Sequence, residues 1–323
     1  ALAAGIVLPY SCRNGACSTC KGKVVSGSFE AGPAPGQLLT AEELADGYTL
    51  MCQVRPDSDL VIESTEVRLA SDIEIRKLPS RVIAMTRAAP DVMVLSLQLP
   101  ATETFRYYAG QYVEVILKDG RRRSYSMAGA PHKGGPLELH IRHMPGGVFT
   151  DHVFGAGATQ MKEREILRLE GPFGSFFLRE DSDKPVVLLA SGTGFAPVKA
   201  IVEHMIHKAI RRPVRLYWGG RRPHDLYMDE LARSWEGQLA DFRYTPVVSD
   251  ALPEDGWTGR TGFVHEAVMQ DIPDLSGWQV YACGAPVMVE AARRDFSARC
   301  GLPGDEFYAD AFTSEADVAA VKD

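Results

Sequence analysis

The sequence predicts a multidomain α+β and α/β chain of three successive blocks, and three observations carry that expectation. Three of its six cysteines fall within nine residues, "CRNGACSTC", Cys12 to Cys20. A middle stretch reads as short alternating or β-branched runs cut by Gly, Pro and Asp. The last stretch alternates continuous apolar strands with helix-period segments, which implies a parallel sheet wrapped by helices. The expected blocks are residues 1–75, 80–180 and 184–323, with the charged stretch "VRLASDIEIRKLPS", closed by Pro79, as the first linker.

Length and composition bound the function. The chain has 323 residues, 45% hydrophobic and 24% charged, an ordinary globular profile for roughly two to three domains. Six cysteines are too few and too unevenly placed for a disulfide framework; clustered cysteines in a chain of this size bind metal or do redox chemistry. Apolar runs such as "VVLLA" fall far short of the roughly 20 residues a membrane span needs. The opening "ALAAGIVLPY" lacks the charged start of a signal peptide and runs straight into the cysteines, so a cytoplasmic protein is expected. A net charge of −7 argues against a nucleic-acid partner. Residues 1–75 hold ten acids against five bases, which either steers this block toward a basic partner protein or merely solvates its surface.

In the first block Cys12, Cys17, Cys20 and the distant Cys52 form C-x4-C-x2-C…C, the spacing of plant-type [2Fe–2S] ferredoxins. Two irons need thiolates on both sides and backbone N–H groups aimed at the sulfurs, and the small residues Asn14, Gly15, Ala16, Ser18 and Thr19 leave room for both. A four-cysteine zinc site is the alternative, although structural zinc usually shows two close pairs and here there is a triplet and a singleton. Residue 1 is not Met and falls where the helix before the cluster loop is expected. A β-grasp domain here is therefore expected to be N-terminally truncated.

The runs "RVIAMT", "DVMVLSLQL", "QYVEVIL", "RSYSM" and "LELHIR" suggest a small antiparallel barrel. In "RSYSM", strand alternation puts Arg123, Tyr125 and Met127 on one face and Ser124 and Ser126 on the other. Downstream, "MPGGVFTDHVF" brings Gly146 and Gly147, then Thr150 at a helix start, where free backbone amides attract an anion. An Arg close by would complete a pyrophosphate clamp. His140, His143 and His152 raise the question of a metal, but on a strand 140 and 143 face opposite ways, so none is expected.

In the third block "VVLLASGTGFAPVKA" is a strand, a turn and a helix. Gly192 and Gly194, flanking Thr193, let the backbone turn tightly and approach a phosphate, and Pro197 suits a first helical turn. It is not a Walker A loop, and it departs from G-x-G-x-x-G by placing Pro197 where the third Gly would stand. "YWGGRRPHDLY", "GRTGFV" and "YACGAPVMV" follow in order; Cys300 lies in no motif.

Together these motifs resemble the ferredoxin-NADP reductase superfamily. Their order is similar to that of its three-domain iron–sulfur flavoprotein reductases, the reductase components of bacterial oxygenases such as benzoate dioxygenase and methane monooxygenase, and CDP-deoxyglucoseen reductase. The resemblance implies a plant-type ferredoxin domain, an antiparallel β-barrel FAD domain and a parallel-sheet NAD-binding domain, with a [2Fe–2S] cluster, FAD and NADH as cofactors. It assigns Cys12, Cys17, Cys20 and Cys52 to the cluster. Arg123 would hold the FAD pyrophosphate, Tyr125 would lie against the isoalloxazine and Ser126 would approach its N5. The strand His140, Ile141, Arg142 and the loop residues Gly146, Gly147 and Thr150 complete the flavin set. Gly192, Thr193, Gly194 and Pro197 would hold the pyridine nucleotide. Cys283, with Gly284 and Pro286, would place the nicotinamide against the flavin. Phe312, near Asp310, would cover the ring, an ordinary core Phe being the other reading. Tyr125, Ser126, Cys283 and Phe312 thus form the expected catalytic set. NADPH-specific members end the strand matching "TPVVSD" in Ser-Arg, whereas here Ser249 is followed by Asp250. A carboxylate there repels a 2′-phosphate and accepts from ribose hydroxyls, which favours NADH; Arg221 and Arg222 pull the other way.

Electron counting then sets the expected activity. NADH yields two electrons at once, an iron–sulfur cluster takes one, and a flavin converts between them. The expected protein is an NADH-dependent reductase passing electrons through FAD to the cluster and on to a separate protein docking near the cysteine loop. A terminal oxygenase of the Rieske aromatic-ring type is the first partner expected, a diiron monooxygenase or a deoxysugar dehydratase the next. A free-standing flavin or quinone reductase and a zinc-containing module sensing NAD(H) are the alternatives. No nucleic-acid or membrane partner is expected.

Overall fold

A computed structural model of the chain describes residues 1, 4–33, 38–69, 73–155 and 160–313. Residues 70–72 of the expected linker and the last ten of the third block lie outside the described residues.

The cysteine-bearing block is built on a three-stranded antiparallel sheet. Lys21–Ser26 is its middle strand, between Tyr48–Leu50 and Val61–Glu63. A short helix, Ala41–Ala45, covers it and begins with a reciprocal cap, in which Thr40 Oγ1 accepts from the Glu43 N–H and Glu43 accepts from the Thr40 N–H. Its core is small: Cys20, Leu39 and Leu50. The residues just ahead of the cluster loop correct the sequence reading. Ile6–Val7 is not helical but a strand paired with Arg68–Leu69. β-Branched side chains followed by the dipeptide Leu8-Pro9 favour extended backbone, which explains the difference.

The middle block is one six-stranded antiparallel sheet. In order its strands are Arg122–Ser126, Tyr112–Ile116, Ile166–Phe173, Arg76–Ala89, Val92–Gln98 and Leu137–Arg142. An antiparallel bridge between Met127 and Leu139 joins the two outer strands, so the sheet closes on itself as a barrel. Irregularities between Val82 and Ala84 and between Arg87 and Ala89 help the long Arg76–Ala89 strand bend around it. Alternate residues Leu95, Leu97, Val113, Val115, Leu139 and Ile141 point inward and are fully buried.

The third block is a six-stranded parallel sheet ordered Arg260–Thr261, Phe242–Val248, Val214–Gly220, Val186–Ser191, Gln279–Gly284 and Phe307–Ala311. The chain starts in the Val186 strand, moves outward on one side and then returns to the other. The switch point thus falls between Val186–Ser191 and Gln279–Gly284, where open α/β sheets bind their ligands. The helix Phe195–His207 leaves that point with most of its length buried.

The three blocks meet at Arg179. Its buried guanidinium pairs with Glu66 at 2.5 Å, lies 4.2 Å from the Phe177 ring and 4.4 Å from the Tyr308 ring, and its backbone N–H donates to Tyr281 Oη. One side chain therefore ties the end of the first block to both others.

Candidate electron-transfer site

The four cysteines of the first block carry free thiols. Cys12 lies beside Cys17 and Cys20 beside Cys52, and the neighbouring thiol holds Cys17 and Cys52 below the ordinary thiol range. Backbone amides converge on the sulfurs. The Ala16 N–H points at Cys12 Sγ across 3.4 Å, the Thr19 backbone serves Cys17, and the Gly15 backbone serves Cys52. Arg13 and Ser18 adopt positive φ, 58° and 50°, to wrap the loop this way. Among the described residues no group of three or more His, Cys, Asp or Glu side chains converges on a single ion position. Four thiols cradled by backbone N–H groups fit the two bridged irons that the C-x4-C-x2-C…C spacing implies.

The loop faces inward. Cys17 and Cys20 are buried, and Cys17 packs with Ala309 and Ala311 of the last parallel strand. Ser18 Oγ donates to Glu290 at 2.8 Å, and Arg13 lies over the Phe173 ring and within 3.5 Å of Glu114.

On the barrel, Tyr125 is tilted against Phe149 with 5.4 Å between ring centroids, and burial pushes its phenol pKa up. Ser126 is buried, its hydroxyl turned toward Asp310. The Arg123 side chain reaches back to the Arg122 carbonyl at 2.8 Å. Thr150 does local work: its Oγ1 donates to the Met144 carbonyl at 2.8 Å and accepts from the Met144 N–H at 3.2 Å, which fixes the turn carrying Gly146 and Gly147. Gly147 caps the helix Val148–Phe154 with no side chain over its amides. The His140 imidazole is taken up within the protein, its Nε2 2.8 Å from Glu138 and its Nδ1 2.8 Å from Tyr227 Oη. Arg142 crosses between blocks: it holds Asp91 at 2.9 Å, approaches Asp225 at 3.7 Å, and would stand 2.6 Å from a Cβ added at Gly192.

The two nucleotide turns interlock. A Cβ at Gly194 would fall 2.1 Å from the Cys283 carbonyl oxygen, and one at Gly284 only 2.3 Å from Ser191 Oγ. Ser191 Oγ accepts from the Ala285 N–H at 2.9 Å, and Trp218 Nε1 donates to the Gly192 carbonyl at 3.0 Å. Pro197 is buried in the first turn after Gly194, and Pro286 opens the helix after Gly284. Cys283 is fully buried and its thiol is kept neutral, burial being the main cause. In strand register it lies beside Asp310, and the Phe312 N–H donates to the Gly284 carbonyl at 2.8 Å. Asp310 is therefore central: burial raises its pKa to about 6, the hydroxyls of Ser11 and Ser126 act against that rise, and the charge of Cys17 adds to it.

Residues 1–57 match the family described as 2Fe-2S iron-sulfur cluster binding domain, 79–178 the oxidoreductase FAD-binding domain and 188–294 the oxidoreductase NAD-binding domain. The chain is 43% identical, over 97% of its length and 91% of the relative's, to the CDP-6-deoxy-L-threo-D-glycero-4-hexulose-3-dehydrase reductase of Yersinia pseudotuberculosis. It belongs to the three-domain iron–sulfur flavoprotein reductases. Terephthalate 1,2-dioxygenase reductase component 1 of Comamonas is 35% identical over 97% of this chain and 91% of its own. The solved cytochrome P450 reductase GcoB of Amycolatopsis superposes with a TM-score of 0.77 at 36% identity, covering 96% of this reductase and 92% of that chain.

The reductase is thus an oxidoreductase with binding domains for NAD, FAD and a [2Fe–2S] cluster, and the four thiols fit the cluster. No helix among its described residues is long and apolar enough to cross a membrane. Four features carried no sequence signal: Ser11, which donates to Asp310; Tyr112, whose Oη donates to the Ser11 carbonyl; the Glu138–Lys199 pair, 3.1 Å apart; and Arg179. Each acts between blocks, and no local spacing announces such a contact.

Proposed function

We propose that the reductase oxidises NADH at the Gly194–Cys283 turns, hands electrons one at a time through FAD to the [2Fe–2S] cluster, and delivers them to a separate terminal oxygenase. One observation supports this reading: the cluster loop is seated against the barrel and the last parallel strand, which brings the residues expected to serve donor, converter and exit next to one another. When bound, the flavin supplies the conversion from two-electron to one-electron transfer. The chain's residues do the rest. Arg123 and the amides after Gly147 would hold the FAD pyrophosphate, Tyr125 and Phe312 would flank the ring, and Ser126 and Cys283 would line the side where hydride is received. A Rieske-type aromatic-ring oxygenase is the partner we place first. The 43% identity to dehydrase reductases favours a second reading, a deoxysugar dehydratase partner.

Reconstitution tests this. The holoenzyme is expected to show flavin and iron–sulfur absorption, both bleached by NADH. It is expected to support turnover of an oxygenase, and the second reading replaces the first if only a dehydratase accepts its electrons. Cys17→Ser is expected to leave NADH reduction of the flavin intact while abolishing delivery to cytochrome c. Delivery surviving in that variant would take the cluster off the path.

A further inference from the structure

The cluster loop and the flavin wall share one carboxylate. Ser11, the residue before Cys12, donates its hydroxyl to Asp310 Oδ1 across the boundary between the first and third blocks. Its carbonyl accepts from Tyr112 Oη at 3.1 Å, and Tyr112 is the residue opposite Ser126 in the barrel. Next to it, the Tyr10 N–H donates to Ser175 Oγ at 3.0 Å and the Ser175 N–H donates to the Tyr10 carbonyl at 3.3 Å. The linkage is dry: Ser11 is 6% exposed, Tyr112 and Asp310 4% each. On its other side Asp310 adjoins Cys283 and the hydroxyl of Ser126.

A hydrogen bond to a buried carboxyl is among the strong ones, and its loss leaves an acceptor that water does not reach. Ser11 also sits where a small shift matters, since one residue separates this bond from a cluster ligand. Tyr10 and the Ser11 carbonyl meet the barrel at Ser175, Gly174 and Tyr112, contacts that set the path of the chain. The Ser11 hydroxyl joins that path directly to Asp310, the carboxylate beside Ser126 and Cys283.

We propose that Ser11 is a positioning residue for internal electron transfer. Through Asp310 it holds the Cys12 side of the cluster loop against the surface formed by Ser126 and Cys283. This rests on the relay reading above and goes beyond it. In the step concerned, one NADH is oxidised to NAD+, giving two electrons and a proton to the flavin. Two single-electron transfers to the cluster return the flavin to its oxidised form with release of that proton to solvent, and each reduces one molecule of ferric cytochrome c.

The test compares the holoenzymes of Ser11→Ala, Ser11→Thr and Tyr112→Phe. In Ser11→Ala, NADH-driven ferricyanide reduction, drawn from the flavin, is expected to stay at the wild-type rate. Stopped-flow transfer from flavin to cluster is expected to fall about tenfold, as the loss of one strong hydrogen bond implies. Amide exchange at Tyr10 and Ser175 is expected to quicken in the same variant, a readout independent of turnover. Ser11→Thr, which keeps the hydroxyl, is expected to restore both, and Tyr112→Phe to show a smaller loss of transfer. Wild-type transfer in Ser11→Ala overturns the proposal. So does loss of the cluster in Ser11→Ala combined with unimpaired transfer in Tyr112→Phe, because Ser11 then serves only to retain the cluster. Failure of the relay reading looks different: NADH would bleach the flavin but not the cluster in the wild-type enzyme.

Discussion

At residue scale, Asp250 shows how partners decide what a charge can do. It is exposed at the end of the Phe242–Val248 strand, where its backbone N–H donates to the Arg221 carbonyl at 2.8 Å. The two arginines that opposed an NADH reading differ in the structure. Arg222 is committed to Asp255 through two contacts of 2.7 Å, whereas Arg221 is two-thirds exposed and only 3.7 Å from Asp225. A single exposed cation beside a carboxylate is a poor site for a 2′-phosphate. We expect kcat/KM for NADH to exceed that for NADPH. Asp250→Ser should raise kcat/KM for NADPH about tenfold, the size of a like-charge penalty of ~1.4 kcal/mol at a partly screened site. Higher NADPH efficiency in the wild-type enzyme would reverse this assignment. Residues in motifs were legible because the chemistry limits both residue type and spacing; Cys12, Cys17, Cys20 and Cys52 are the clearest case. His140 was less so: the resemblance of its strand to a flavin-contacting one put it in the flavin set, but its imidazole is bound to Glu138 and Tyr227.

At the scale of elements, the site depends on two turns that fit only without side chains. The Val186–Ser191 and Gln279–Gly284 strands are neighbours in register, Ala190 beside Cys283, so the turns that follow must nest. Gly194→Ala would press a methyl into the Cys283 carbonyl, and since both groups are backbone, one turn must move. Overpacking of this kind costs about 1–3 kcal/mol. We expect Gly194→Ala to lower Tm modestly and to slow NADH reduction of the flavin by tenfold or more. Flavin and cluster absorption should stay unchanged. A wild-type reduction rate would mean that the turns have slack. The parallel and antiparallel sheets were readable from periodicity, because each buried face imposes its own repeat. The strand at Ile6–Val7 was not. It is two residues long, and its partner, Arg68–Leu69, lies some sixty positions away in what read as a linker.

At the scale of the whole molecule, barrel and nucleotide domain meet across a buried polar network. Lys199 stands 3.1 Å from both Glu138 and Glu203 and donates to the Ala128 carbonyl at 3.2 Å, while His140 joins Glu138 to Tyr227. Burial keeps His140 neutral, with Nε2–H donating to Glu138 and Nδ1 accepting from the phenol. Burial alone would raise the Glu138 pKa, but the His140 hydrogen bond and the Lys199 charge prevail and hold it at about 2 against an ordinary 4.5. A depressed carboxyl stabilises the fold fully above its unfolded pKa and loses that contribution as pH falls through the folded one. The seam should therefore weaken between about pH 4.5 and 2. Glu138→Gln should be less stable than wild type at pH 7, and the difference should shrink across that interval in urea titrations. An equal difference at both ends would assign the stabilisation elsewhere. None of this was legible in the sequence, since its members come from separate blocks and each alone reads as ordinary surface charge. Arg179 has a different consequence, for anyone who would graft modules between such reductases. The matched cluster domain ends at residue 57, yet the carboxylate that Arg179 grips belongs to Glu66. A splice made near residue 57 leaves that anchor with the recipient, whereas one near residue 75 removes it along with the domain, so two chimeras carrying the same donor cluster would seat it differently.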